Sequence, residues 1–269
     1  MINKKIIIFY NNDLRSKIIY SKVLTQRSKD ISCIVEVPSL YNLKVKYKFI
    51  FNYFKMLPLE LKIYYLVNYL LFPIVASLWF NKLSDVAKKN KIKVYKYNYA
   101  IEPTNFCKIN RINTFNKIFI FATPNIIKVA NKKLIILNIH DADPEKYRGL
   151  FCHHRMMISN DVNLKTAILK IDTEIDKGDI LLKSVNYKIN NLKFFENTII
   201  SWKLNCENII KLIDMINSNF RFKKNLNLKY VGLDKKFLQH LKKRKYKLSY
   251  KGLTDFIWLN FTKNTIFDI

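Results

Sequence analysis

Short apolar runs rich in β-branched residues recur along the chain with helical stretches between them, and this alternation constrains the fold most. The runs are 6–10 (IIIFY), 31–37 (ISCIVEV), 91–97 (KIKVYKY), 117–122 (KIFIFA), 133–137 (KLIIL), 166–171 and 179–184 (DILLKS). Each is too short for a buried helix and has the length of a strand. Asn11-Asn12-Asp13 closes the first run with a turn and helix-cap signal, and a helical stretch follows to about Leu24. Pro38 stops the second run. A helix containing Asp85-Val86-Ala87 precedes the third. Strands alternating with helices predict βαβ units, hence an α/β fold with a mostly parallel, Rossmann-like sheet. In such sheets the chemistry gathers at the carboxyl ends of the strands.

Composition narrows the chemistry. Four Gly among 269 residues leave no G-x-G-x-x-G and no G-x-x-x-x-G-K-[ST], which excludes the usual dinucleotide dehydrogenases and P-loop NTPases. Cys33, Cys107, Cys152 and Cys206 form no C-x-x-C pair, so free thiols in a reducing cytoplasm are expected. The net charge of +28 is spread along a chain biased throughout toward Lys, Ile, Asn and Tyr, and so identifies no partner. Its densest cluster, Lys242-Lys243-Arg244-Lys245, reads as a solvated helix face. The uncharged stretch 63–80 (IYYLVNYLLFPIVASLWF) just reaches the roughly 18 residues a membrane span needs. Asn68, Pro73 and Ser77 interrupt it, which favours a buried or interfacial helix with a Pro kink over a span.

Two segments carry chemistry. In the first, the apolar run from Leu134 leads into Asn138 and His140, then a polar loop ending in Arg148-Gly149. Residues i and i+2 at a strand end share a face, so an amide donor and an imidazole project together. That pair can hold a developing oxyanion while moving a proton. The second segment is a strand, the acidic loop Asp172-Thr173-Glu174-Ile175-Asp176-Lys177-Gly178, and a return strand. Gly149 and Gly178, two of the chain's four glycines, fall in these loops. His153, His154 and Arg155 follow at a helix start and read as a surface helix turn.

The combination of Asn138-Ile139-His140, Pro144-Glu145-Lys146-Tyr147-Arg148-Gly149 and Asp176-Lys177-Gly178-Asp179-Ile180 resembles the folate-dependent formyltransferases. That family includes the glycinamide ribonucleotide, methionyl-tRNA and nucleotide-sugar enzymes. The resemblance implies a catalytic triad of Asn138, His140 and Asp176, working without a metal. A primary amine would attack the formyl carbon of 10-formyltetrahydrofolate. Asn138 and His140 would stabilise the oxyanion, while Asp176 would orient His140 and help remove the amine proton. It further implies folate binding by Ile126, Ile127, Asp172 and Ile175, and acceptor binding by Asn11, Asn12, Tyr147 and Arg148. One departure stands beside the imidazole. Where the family often has Pro-Ser-Leu-Leu-Pro, this chain has Asp141-Ala142-Asp143, whose carboxylates are expected to alter the pocket around His140.

Domain organisation follows the same resemblance: a catalytic domain at 1–190 with an inserted helical segment at about 41–88, then a helical and basic extension at 191–269. The extension opens on an amphipathic helix, 198–215 (TIISWKLNCENIIKLIDM). Chain length and the inserted segment favour a nucleotide-linked amino sugar as acceptor. The alternatives are formyl transfer to methionyl-tRNA and a non-catalytic, membrane-associated protein on the same scaffold. A cytoplasmic location is expected, with membrane contact through 63–80 and homodimer formation as secondary expectations.

Overall fold

The computed structural model describes residues 5–37, 55, 59, 62, 82–97, 102–122, 134–147, 152–171, 179–189 and 194–218. The first run is strand β1 (Ile6–Tyr10), buried at every position. The chain then turns, and Asp13 caps helix α1 (Leu14–Gln26) by accepting the Ser16 amide at 2.8 Å. Strand β2 (Ile31–Glu36) follows, then α2 (Leu83–Lys89), β3 (Lys93–Lys96), α3 (Pro103–Ile109), β4 (Ile118–Phe121) and β5 (Ile135–His140). The remainder is α4 (Cys152–Ile158), β6 (Asn163–Leu164), β7 (Ala167–Lys170), β8 (Ile180–Lys183), β9 (Tyr187–Lys188) and α5 (Phe194–Asn217).

Seven strands form one sheet in the order β3-β2-β1-β4-β5-β7-β8. The first five in that order are parallel, while β5–β7 and β7–β8 pair antiparallel. β6 and β9 make a separate two-stranded ribbon. The α/β class and the mostly parallel sheet are as expected. Strand order reverses between β1 and β4, the kind of switch point where open α/β sheets place their ligands.

The period of two along the strands divides the core. Ile6, Ile8, Tyr10, Ile34, Ile120, Leu137, Ile139 and Ile168 face α1, α2 and α5. Ile7, Phe9, Val35, Phe119, Phe121 and Ile136 face the other way, toward Phe106 of α3. There Phe9 stacks on Phe121 at 4.6 Å and meets Phe106 edge-on at 5.3 Å. α5 was expected at the head of an extension beginning at 191, yet Trp202, Cys206, Ile209, Leu212 and Ile213 lie in the same core as β1 and α1. The sheet domain therefore runs through α5.

The four cysteines are free, and burial pushes the Cys33 and Cys206 thiols up to about 12. Among the described residues no helix is long and apolar enough to cross a membrane. The stretch 63–80, most of the expected insert and everything after 218 lie outside the described residues.

Candidate active site at the end of the fifth strand

β5 is longer than the apolar run that signalled it, and it carries Asn138 and His140 as ladder residues. With Ile136 they share one face of the sheet, the projection that spacing alone implied. Register supplies their neighbours. Asn138 lies between Phe121 of β4 and Leu169 of β7, and His140 lies opposite Ala167. Ala167, Leu169 and Ile180 form a small buried cluster on that side. The amide and the imidazole are thus set into an apolar floor, and the methyl of Ala167 leaves room beside the ring.

His140 is 5% exposed. Its Nδ1 lies 2.8 Å from the Ala142 carbonyl oxygen, which can only accept, so Nδ1 carries the proton. The Ala142 amide, 3.4 Å from the same nitrogen, makes the longer and weaker approach. Nε2 is then left as a lone-pair nitrogen, buried and without a hydrogen-bond partner among the described residues. Leaving a buried acceptor unmade costs about 1–3 kcal/mol, and a catalytic role is one way such a group is accounted for.

The two loop carboxylates do not turn onto the imidazole. Arg15 of α1 grips Asp141 with a two-pronged contact, Nε to Oδ2 and Nη2 to Oδ1, both 2.9 Å, and Nη2 also donates to the Ile139 carbonyl at 3.2 Å. Asn205 of α5 donates to Asp141 Oδ1 at 2.7 Å, and the Ser201 hydroxyl donates to the Asp141 carbonyl at 2.8 Å. Burial pushes the Asp141 carboxyl up, but Arg15, with help from His153 and His140, outweighs it and holds the group below the usual carboxylate range. Asp143 accepts the Glu145 amide at 3.1 Å and Lys183 at 3.2 Å. Charge partners on α1 and β8 take these carboxylates up.

His153 corrects an expectation. It is buried rather than on a helix surface, and it is hydrogen-bonded to the Asp141 backbone. Burial pushes its imidazole below the usual range, and Asp141 offsets only part of that. Tyr147 is also buried, with its hydroxyl donating to Asp161 at 3.1 Å. Ala142, Tyr147, Met156, Leu164 and Leu204 pack together beneath the loop. Asn11, at the end of β1, donates its amide to the Val37 carbonyl at 3.1 Å, and Asn12 is exposed. Ile126, Ile127, Arg148, Asp172, Ile175 and Asp176 lie outside the described residues. Among the described residues no three His, Cys, Asp or Glu side chains group as metal ligands.

Sequence reasoning missed Arg15, Ser201 and Asn205. A signal for the last two exists: Asn197, Ser201, Asn205 and Asn208 are all buried and mark one stripe along α5. A polar stripe inside an otherwise apolar helix face needs partners there. Asn205 and Ser201 find Asp141, and Asn208 donates to the Thr166 hydroxyl at 3.0 Å.

No family model matches the chain. Over 110 residues it is 32% identical to a methionyl-tRNA formyltransferase of Rickettsia canadensis, covering 40% of this chain and 36% of that protein. The chain thus spans about a third of the length of the curated relatives it matches. In fold it is similar to a sugar N-formyltransferase of a Shewanella species, with TM-score 0.52, 12% identity, and 91% and 92% of the two chains covered. A phosphoribosylglycinamide formyltransferase of Anaplasma phagocytophilum aligns with TM-score 0.50 and 10% identity over 81% of this chain and 88% of that one. Likeness at such identities establishes a shared fold and leaves the acceptor open.

Proposed function

We propose that this chain, which shares a fold with formyltransferases and part of its sequence with methionyl-tRNA formyltransferases, transfers a formyl group from a reduced folate to a primary amine. The observation that carries this reading is the buried Nε2 of His140, without a hydrogen-bond partner among the described residues, beside Asn138 on one face at the end of β5. The donor is 10-formyltetrahydrofolate, which supplies the formyl carbon when bound. Ile126 and Ile127, which follow β4 in the chain, together with Asp172 and Ile175, are the residues we assign to holding it.

The chain's own groups divide the work. His140 Nε2, lacking a proton, accepts one from the acceptor amine as that nitrogen loses its lone pair. Nδ1 is committed to the Ala142 carbonyl, so the ring cannot turn away during the transfer. Once protonated, Nε2 becomes a donor: with the Asn138 amide it faces the oxygen where negative charge gathers, and its proton then passes to the departing folate nitrogen as the bond from that nitrogen to the formyl carbon breaks. Asp176 supports the positive charge on the ring. The β7–β8 hairpin closes with the Lys170 amide on the Asp179 carbonyl at 2.8 Å, level with Leu137 of β5. Asp176 lies three residue steps before Asp179, roughly 10 Å of extended chain, about the distance along β5 from Leu137 to His140. The loop therefore has the length this role demands.

For the acceptor, a nucleotide-linked amino sugar is the first reading. Its pyrophosphate calls for cationic donors, and Arg148, which follows Tyr147 in the chain, offers a planar fork for it. The second reading is methionyl-tRNA, favoured by the sequence identity with the Rickettsia protein. The full chain incubated with 10-formyltetrahydrofolate and a panel of amino-sugar nucleotides should release tetrahydrofolate only when an amine is present. Formylation of methionyl-tRNA with no turnover of any amino sugar establishes the second reading instead.

A further inference from the structure

The carboxylate that departs from the family pattern sits directly after the reactive imidazole, and it is held from two helices. Asp141 receives three side-chain donors from Arg15 and Asn205, and its carbonyl receives Ser201. Its neighbour Ala142, fully buried, presents the carbonyl that fixes His140 Nδ1. On the far side, Asp143 is tied to Lys183 and accepts the Tyr147 amide at 2.8 Å through its carbonyl. The peptide that sets the proton on His140 is therefore suspended between two anchored residues. The Arg15 and Asp141 side chains are each 17% exposed. An ion pair that far out of water gains little net stability over apolar residues of the same volume, so stability alone does not account for it.

We propose that Arg15 and Asp141, braced by Asn205 and Ser201, form a positioning clamp that keeps His140 in the Nδ1–H form with Nε2 as the proton acceptor. Arg15 has two effects. It fixes the Asp141 side chain through the fork, and it fixes the main chain through its donation to the Ile139 carbonyl. Neither Arg15 nor Asp141 touches the reacting atoms; both act through the loop. The kinetic part of the inference rests on the formyl-transfer reading, whereas the tautomer is a property of the free protein.

The test uses the full chain labelled with nitrogen-15 and reads the imidazole nitrogens of its four histidines, with His140 assigned by its loss in His140→Asn. Wild type is expected to show Nδ1 protonated and Nε2 unprotonated at neutral pH. In the double variant Arg15→Met/Asp141→Ala, both partners of the ion pair are removed together, and Asp13 keeps its hydrogen bond from the Ser16 amide. The expected result is a folded protein in which the Nε2–H form of His140 appears. Its kcat should fall roughly 10- to 100-fold with KM nearly unchanged, the size of effect a small misplacement of a reacting group produces. Should that variant not fold, Arg15→Lys decides, because it keeps the charge and loses the fork. It should show the same tautomer mixing and an intermediate kcat. A wild-type His140 in the Nε2–H form, or a folded variant that keeps both the Nδ1–H form and wild-type kcat, overturns the clamp. If wild type shows no formyl transfer, the tautomer comparison still decides the clamp, and only the proposed reaction fails.

Discussion

At the scale of single residues, the site is a contest over where protons sit. His140 holds one at Nδ1 because a carbonyl 2.8 Å away can only accept, and its second nitrogen faces the site as a base. Replacing it with Asn should leave folding and folate binding nearly intact and lower turnover by about 10²- to 10⁴-fold, the usual range for a lost acid–base group. Substantial residual activity removes His140 from the mechanism. His153 makes a different prediction. Its imidazole is held below the ordinary 6.5, so the unfolded chain takes up the proton first. Its contribution to stability is complete above about pH 6.5 and declines as pH falls toward the folded value. Thermal melts between pH 7.5 and 5.5 should therefore show a falling Tm in wild type and a flatter profile in His153→Gln; parallel profiles contradict the assignment. Asn138 and His140 were legible in the sequence because strand periodicity depends only on neighbours. Arg15 was not, since its partner Asp141 lies 126 positions away and only the packing of α1 against β5 joins them.

At the scale of elements, the strands follow from β-branched runs, and the helices are held mainly by what they bury. Ile213 of α5 is fully buried in the core it shares with β1 and α1. Truncation to Ala should cost about 2–5 kcal/mol in denaturant unfolding, whereas a helix belonging to a detached extension would give a small change. The turns after α2 and α3 place Lys91 at φ 57° and Arg111 at φ 52°, both exposed, where a glycine is usual. Arg111→Gly should therefore raise stability by about 0.5–1 kcal/mol, measured the same way. The amphipathic pattern of 198–215 identified α5 as a helix, but periodicity gives a face and not its partner. α3 was missed because only seven residues and a Pro at its start announce it. What fixes it is Phe106 against Phe9, Tyr95 and Tyr97, all tertiary contacts.

At the scale of the whole molecule, strand order gathers the chemistry. β1, β4 and β5 run parallel, so Asn11, the chain after Phe121 and the Asn138–His140 pair all emerge at one edge of the sheet. β7 returns antiparallel beside β5, and the acidic loop follows it in the chain. The alternation of runs made the parallel sheet legible, and the return strand after the acidic loop made the β7–β8 turn so, whereas the antiparallel pairing of β7 with β5 is not encoded by spacing. The +28 charge acts at this scale as well. Weak tRNA retention at low salt should fade steeply between about 50 and 200 mM whatever the acceptor, so tRNA binding counts toward the second reading only if it persists there. The central claim is that the edge beside His140 takes a reduced folate. Titration calorimetry of the full chain with 5-formyltetrahydrofolate tests it most directly, because it requires no knowledge of the acceptor. Saturable binding in the micromolar range, retained in His140→Asn, is the predicted result. A cooperatively folded protein that takes up no folate contradicts it.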